Sequence, residues 1–232
     1  MSLPRPTIVL FDMDGTTVRH IHPKLLQILE ALDDASHKAA KYFSKLLKHE
    51  INTPPLVEIR DGKRPKLLVH RAMHKFRRKE VGEIVEPCPG IYDVLEFLQA
   101  QNVQMGIVSN GLGKGYGHDI LKTFDLERFF SVTIFREDIT RSKPYPDPLL
   151  QALNGLPRLP AKDDVIWYIG DRRKDVQAAL AARTHLPCPV IPLAYGLNAA
   201  IAVLENNVGN DNIIMAWPDL MPRLRQSLRA IH

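Results

Sequence analysis

The chain has 232 residues, 45% of them apolar and 25% charged, and a formal net charge of +5. That length suits one α/β domain or one domain carrying an insertion, and the composition excludes a disordered, fibrous or low-complexity protein. No apolar run approaches the ~18 residues needed to cross a bilayer, and the apolar stretch at 7–11 is too short for the core of a signal peptide. Two cysteines, Cys88 and Cys188, make neither a disulfide framework nor a zinc pattern, so a reducing cytoplasm is the expected location.

Near-continuous apolar runs predict strands at 7–11, 103–109, 131–135, 165–170 and 190–194, with a weaker one at 212–215. Such runs suit parallel strands covered on both faces. Helical spacing falls between them at 91–101, 118–124, 146–153 and 175–182, and over the tail at 220–231. Strand–helix alternation of this kind implies an α/β fold with a doubly wound, mostly parallel sheet.

From about 18 to 86 no strand is expected. Instead, apolar residues recur every three or four positions at 21–32, 35–49 and 64–79, one face of a helix in each case. The segment 52–65, with Pro54, Pro55, Pro65 and the pair Asp61-Gly62, reads as a loop. The expected organisation is an α/β core of residues 1–17 and 87–232 with an inserted helical cap at 18–86. The cap is expected over the carboxyl ends of the strands, where open α/β sheets bind ligands.

Phe11-Asp12-Met13-Asp14-Gly15-Thr16-Thr17 follows the first strand directly. Residues two apart on a strand share a face, so Asp12 and Asp14 are presented together. Gly15 permits a left-handed turn that a side chain would resist. Converging carboxylates repel and call for a cation or a shared proton. Taken alone, the segment also fits an acidic turn that caps a helix. Three later features argue against that. Val108-Ser109-Asn110-Gly111 ends the second strand with a hydroxyl and an amide suited to phosphate oxygens. Arg141-Ser142-Lys143-Pro144 brings a cation after the third strand. Tyr168-Ile169-Gly170-Asp171 ends another strand, with Asp175 four residues beyond Asp171.

These four segments, in this order, resemble the ordered motifs of the haloacid dehalogenase superfamily, specifically its helical-cap phosphatases of the phosphoglycolate phosphatase type. The resemblance covers residues 1–17 and about 87–215; the cap resembles the family in position and helical character only. It implies that Asp12 is a nucleophile forming an aspartyl-phosphate and that Asp14 is the general acid and base. Ser109 and Asn110 would hold phosphate oxygens, and Lys143 would neutralise the phosphoryl group and Asp12. Asp171 would bind Mg2+ with Asp12 and the backbone carbonyl of Asp14, and Asp175 would support that site. Phosphoryl transfer depends on positioning and charge neutralisation, and magnesium takes oxygen ligands. Asp12 is expected to stay ionised beside the metal. Thr17 stands where the family usually has an apolar residue, a change expected to affect local packing and not chemistry.

The run Arg172-Arg173-Lys174 is expected to be a solvated first turn of a helix. In the insertion, the basic stretch from His70 to Lys79 lacks the glutamate of a zinc-protease motif. Its expected role is solvation, with Arg71 or Lys75 as candidates for reading a distal anionic group of the substrate. The glycine-rich 111–117 matches no nucleotide fingerprint; a flexible loop is expected there, with Lys114 near the substrate.

The reading is therefore a magnesium-dependent phosphatase acting on a small phosphorylated substrate, with neither nucleic acid nor membrane as a partner; the sequence sets no oligomeric state. A dehalogenase would need neither Asp14 nor magnesium. A sugar phosphomutase would share every core residue. A phosphonate hydrolase would need a cap lysine, for which Lys24, Lys63 and Lys75 are available. A signalling receiver domain, which also uses an aspartate, a hydroxyl and a lysine, carries its phosphorylated aspartate on the third strand, and Phe135-Arg136-Glu137-Asp138 matches that poorly.

Overall fold

The structure, a computed structural model, describes residues 3–21 and 81–229. In chain order the elements are β1 (Ile8–Phe11), β2 (Val18–His20), β3 (Val85–Pro87), α1 (Ile91–Ala100), β4 (Gln104–Val108), α2 (Lys114–Thr123), β5 (Val132–Ile134), α3 (Asp147–Asn154), β6 (Ile166–Gly170), α4 (Arg173–Ala182), β7 (Val190–Tyr195), α5 (Leu197–Glu205), β8 (Ile213–Ile214) and α6 (Trp217–Arg229). Short 3-10 turns at Val81–Glu83, Glu127–Phe129, Arg136–Asp138, Arg183–His185 and Asn210–Asn212 complete the described path.

Six strands form one sheet in the order β5-β4-β1-β6-β7-β8, and every neighbouring pair is parallel. The chain runs outward from β1 through β4 to β5, returns to β6 on the far side of β1, and runs outward again to β8. The winding direction therefore reverses between β1 and β6, and the crevice at their carboxyl ends is where a doubly wound sheet takes a ligand. The expected fold class is the observed one.

Burial follows from this position. All residues of β1 and β6 are buried, which is why both read as unbroken apolar runs in the sequence. Side chains alternate across the sheet. Ile8 and Leu10 join Leu149 and Leu153 of α3 and Ala178, Ala179 and Ala182 of α4 in one core. Phe11 faces the other way, its ring 5.9 Å from Phe130 and 5.8 Å from Trp217. Small residues along α4 and α5, including Ala199 and Ala202, let these helices pack closely on β7.

The chain divides into two compact units, Met1–Arg19 with Val85–His232, and His20–Ile84. In the second unit the described residues are His20, Ile21 and 81–84, where the Ile21 N–H donates to the Ile84 carbonyl at 3.0 Å. The helices expected between 21 and 79, with Lys24, Lys63, Arg71 and Lys75, fall among residues 22–80, outside those described. No described helix is long and apolar enough to cross a membrane.

Three local expectations are corrected. The stretch from 18 to 86 does contain strands: β2 and β3 form a two-stranded ribbon, with Arg19 Nη2 2.7 Å from Glu86 Oε1. Three residues per strand are too few to print a period on the sequence. Residues 114–117, expected in a flexible glycine-rich loop, form the first turn of α2. Gly117 is buried there against Phe135, whose ring fills the space a Cβ would take. Its small size serves packing and not flexibility. The C-terminal helix starts at Trp217 instead of 220, because Asp219 Oδ2 accepts the Met215 and Ala216 N–H groups at 3.2 and 3.0 Å. Pro218 sits in the first turn, where a missing N–H leaves nothing unpaired.

Candidate active site

The crevice is built from the ends of β1, β4 and β6 and the loop before α3. Asp12 directly follows β1, and its N–H donates to the Ile169 carbonyl at 2.8 Å, continuing the ladder to β6. The chain then turns sharply. Gly15 has φ +87, a conformation that side chains resist, and the Asp171 carboxylate lies where its Cβ would be. The turn is pinned from several sides. The Gly15 N–H donates to the Val18 carbonyl at 2.8 Å, and the Cys88 N–H to the Thr17 carbonyl at 2.9 Å. The Thr17 hydroxyl donates to the Asp12 carbonyl at 2.8 Å, and Trp217 Nε1 donates to the Thr16 carbonyl at 3.0 Å.

At the end of β4, Ser109 is fully buried. Its hydroxyl oxygen accepts the Leu112 N–H at 3.2 Å, leaving its own proton to be donated. Asn110 Nδ2 donates to the Lys143 carbonyl at 3.4 Å, while Asn110 Oδ1 is buried with no hydrogen-bond partner.

Lys143 is 4% exposed. Its Nζ lies 2.5 Å from Asp12 Oδ1 and 2.7 Å from Asp175 Oδ1, 2.8 Å from the Tyr168 hydroxyl and 3.3 Å from the Val108 carbonyl. Burial opposes the ammonium charge, but Asp12 and Asp175 more than offset it and hold the Lys143 pKa above its usual value. The lysine is a fixed cation.

Beyond β6, Asp171 and Asp175 are set by the first turn of α4. Asp175 is buried and occupies the third position of the helix, where its Oδ2 accepts the Arg172 N–H at 3.0 Å, satisfying one donor the helix start leaves open. Carboxylate oxygens of Asp12, Asp171 and Asp175 lie within 4.8 Å of one another. The Asp14 carboxylate faces the Gly111 loop, with Oδ2 3.9 Å from where a Cβ of Gly111 would stand.

The buried carboxylates of Asp12 and Asp175 and the partly buried one of Asp171 outnumber the one buried ammonium among them. Burial, with Asp175 and Asp171 adding to it against Lys143, pushes Asp12 up to about 7. Burial, then Asp175, pushes Asp171 up to about 6. The expectation of an ionised Asp12 thus depends on a cation. The site fits one: Asp171 Oδ1 is buried with no hydrogen-bond partner, and an all-oxygen set of this charge suits a hard divalent ion such as Mg2+.

The structure brings Asp12, Lys143, Asp171 and Asp175 into one cluster, with Ser109 and Asn110 at the adjoining strand end. Lys114 is engaged elsewhere, its Nζ 3.1 Å from Asp138 Oδ1. Arg71 and Lys75 fall outside the described residues. Within the basic run, Arg173 Nη2 pairs with Glu205 of α5 at 2.8 Å. Sequence reasoning missed Tyr168. A tyrosine in a fully buried strand must find a partner for its hydroxyl, and the charged residues beyond the end of β6 were the signal available. It also missed Trp217, whose bond to Thr16 spans 201 residues.

The family model described as haloacid dehalogenase-like hydrolase matches residues 9–186. A phosphoglycolate phosphatase of Salmonella choleraesuis is 33% identical over 160 residues, spanning 66% of this chain and 59% of that protein. The chain thus aligns with less than two thirds of that relative's length. Among solved structures, a haloacid dehalogenase-superfamily hydrolase from Ehrlichia chaffeensis has a TM-score of 0.59 at 21% identity, covering 98% of this chain and 100% of that one. CbbY from Rhodobacter sphaeroides, solved in complex with phosphate, has a TM-score of 0.58 at 18% identity, covering 95% and 99%. At these identities the structural likeness speaks for the fold.

Proposed function

The chain belongs to the haloacid dehalogenase-like hydrolases, and on that footing we propose that it is a magnesium-dependent phosphatase acting on a small organic phosphomonoester. The observation that carries this reading is the Lys143 ammonium set between the buried carboxylates of Asp12 and Asp175 at 2.5 and 2.7 Å. An uncharged binding pocket has no use for that arrangement, whereas phosphoryl transfer needs charge fixed in advance.

In the proposed reaction a carboxylate oxygen of Asp12 attacks phosphorus and the P–O bond to the leaving alcohol breaks. The alkoxide takes a proton from Asp14, and Asp12 carries the phosphoryl group. Water then attacks phosphorus and gives a proton to Asp14, the acyl–phosphate P–O bond breaks, and inorganic phosphate leaves with Asp12 regenerated. The Ser109 hydroxyl and Asn110 hold phosphoryl oxygens, and Lys143 neutralises them.

Asp12, Asp171 and the backbone carbonyl of Asp14 would hold Mg2+. Asp175 acts as a buttress, because its Oδ1 is taken by Lys143 and Tyr168 and its Oδ2 by the Arg172 N–H. Bound there, the ion would neutralise developing phosphoryl charge. Residues 18–86 are proposed as a cap that closes over the substrate. The likeness to phosphoglycolate phosphatases supports a small phosphorylated acid or sugar as substrate, handled in the cytoplasm.

The test is phosphate release from p-nitrophenyl phosphate, phosphoglycolate and sugar phosphates, with MgCl2 or EDTA, beside an Asp12→Asn variant. Release is expected from the intact protein with magnesium only. Release by Asp12→Asn would remove the nucleophile assignment, and isomerisation of a sugar phosphate without release would make the chain a mutase.

A further inference from the structure

We propose that Tyr168 is a positioning residue that holds one ammonium proton of Lys143 in reserve and yields it to the incoming phosphoryl group. The inference rests on the phosphatase reading and adds a residue that reading does not use.

A lysine ammonium has three protons to donate. Around Lys143 Nζ stand four acceptors: Asp12 Oδ1 at 2.5 Å, Asp175 Oδ1 at 2.7 Å, the Tyr168 hydroxyl at 2.8 Å and the Val108 carbonyl at 3.3 Å. The donor capacity is therefore filled before any substrate arrives. To bind a phosphoryl oxygen, Lys143 must release a partner. Every bond the ammonium donates is charge-assisted, but a carboxylate adds the attraction of a full opposite charge, so the carboxylates stay and a neutral acceptor is given up. The Val108 carbonyl is already the most distant of the four. The Tyr168 hydroxyl is the close, neutral one.

Tyr168 is built for that exchange. It is 1% exposed, and its hydroxyl donates to Asp175 Oδ1 at 3.2 Å, so it keeps a partner after Lys143 turns away. Burial, then Asp175 and Asp12, raise its pKa well above the usual 10, and the phenol keeps the proton it donates. Lys143, Tyr168 and Asp175 thus close a triangle from which one edge can be removed.

The consequence is measurable with inorganic phosphate. In the resting protein the hydroxyl competes with the anion for the same proton, so removing it should tighten phosphate binding. Titration calorimetry of phosphate into the magnesium-supplemented protein is expected to give a Kd roughly 3- to 10-fold lower for Tyr168→Phe than for the intact chain, the size of a modest net hydrogen-bond contribution. A role confined to filling the core would move the urea midpoint and leave this Kd unchanged. An unchanged or weaker Kd overturns the proposal, as does absence of phosphate binding by the intact chain. Should Tyr168→Phe not fold, Tyr168→Leu removes the same hydroxyl and must give the same tightening. The phosphatase reading fails separately, when the intact chain binds phosphate but releases none from any phosphomonoester.

Discussion

The Thr17 hydroxyl donates to the backbone carbonyl of Asp12 at 2.8 Å, and both residues are buried. Thr17 is expected from the sequence to affect packing only; its hydroxyl also closes the turn that follows Asp12. Thr17→Val keeps the shape and strands a buried acceptor, which costs about 1–3 kcal/mol. The expected outcome is a lower urea midpoint together with reduced turnover. A midpoint equal to that of the intact chain would show that the hydroxyl does not brace the turn.

Phe135 and Gly117 make a second such pairing. The ring occupies the position of a Cβ at 117, and His118 adds an edge contact with centroids 4.9 Å apart. Gly117→Ala should overpack this site and lose about 1–3 kcal/mol, although alanine is the better helix former. Adding Phe135→Leu should recover part of the loss. Equal stability of Gly117→Ala and the intact chain would contradict the packing described.

Removing charge from the cluster should act in opposite directions according to sign. Asp12→Asn relieves one of three clustered carboxylates, two of them buried against a single ammonium, so the metal-free variant should gain about 0.5–2 kcal/mol in chemical denaturation while turnover falls more than ~10³-fold. Lys143→Met leaves Asp12 and Asp175 uncompensated and should lose about 3–5 kcal/mol. Losses for both variants would mean that the cluster carries no electrostatic strain.

Protons and the divalent ion should compete. The carboxyls of Asp12 and Asp171 stand near 7 and 6, raised mainly by burial from an ordinary 3.8. A raised acid binds more protons folded than unfolded. These two groups therefore favour the fold of the metal-free protein below about pH 4, and that contribution is lost as pH rises through 6 and 7. Magnesium needs both groups ionised, so the stabilisation given by MgCl2 should be larger at pH 8 than at pH 5. Thermal midpoints with EDTA and with MgCl2 at the two values check the sign; an equal or smaller increment at pH 8 contradicts it.

The strands of the large sheet were legible because burial on both faces leaves long apolar runs, as in Ile8–Phe11 and Ile166–Gly170. Asp12 and Asp171 were legible because a strand end that must carry charge departs abruptly from such a run, and Lys143 and Asp175 were legible only through the order of the motifs that contain them. What the sequence hid depends on contacts across the chain. Tyr168 reads as one more β-forming aromatic until Lys143 is placed beside it. The first turn of α2 reads as a loop because the reason for Gly117 lies on Phe135, eighteen residues away. β2 and β3 are three residues each, and their pairing rests on partners that no local window contains together.

The bond from Trp217 to the Thr16 carbonyl also bears on synthesis. Ribosomes release a chain from its amino end, so the turn carrying Asp12 emerges about 200 residues ahead of the indole that ties it down. β1 waits likewise, since its neighbour β6 begins at Ile166. Until then a nascent chain would expose one edge of its central strand, and the acidic turn would lack its indole bond until α6 docks.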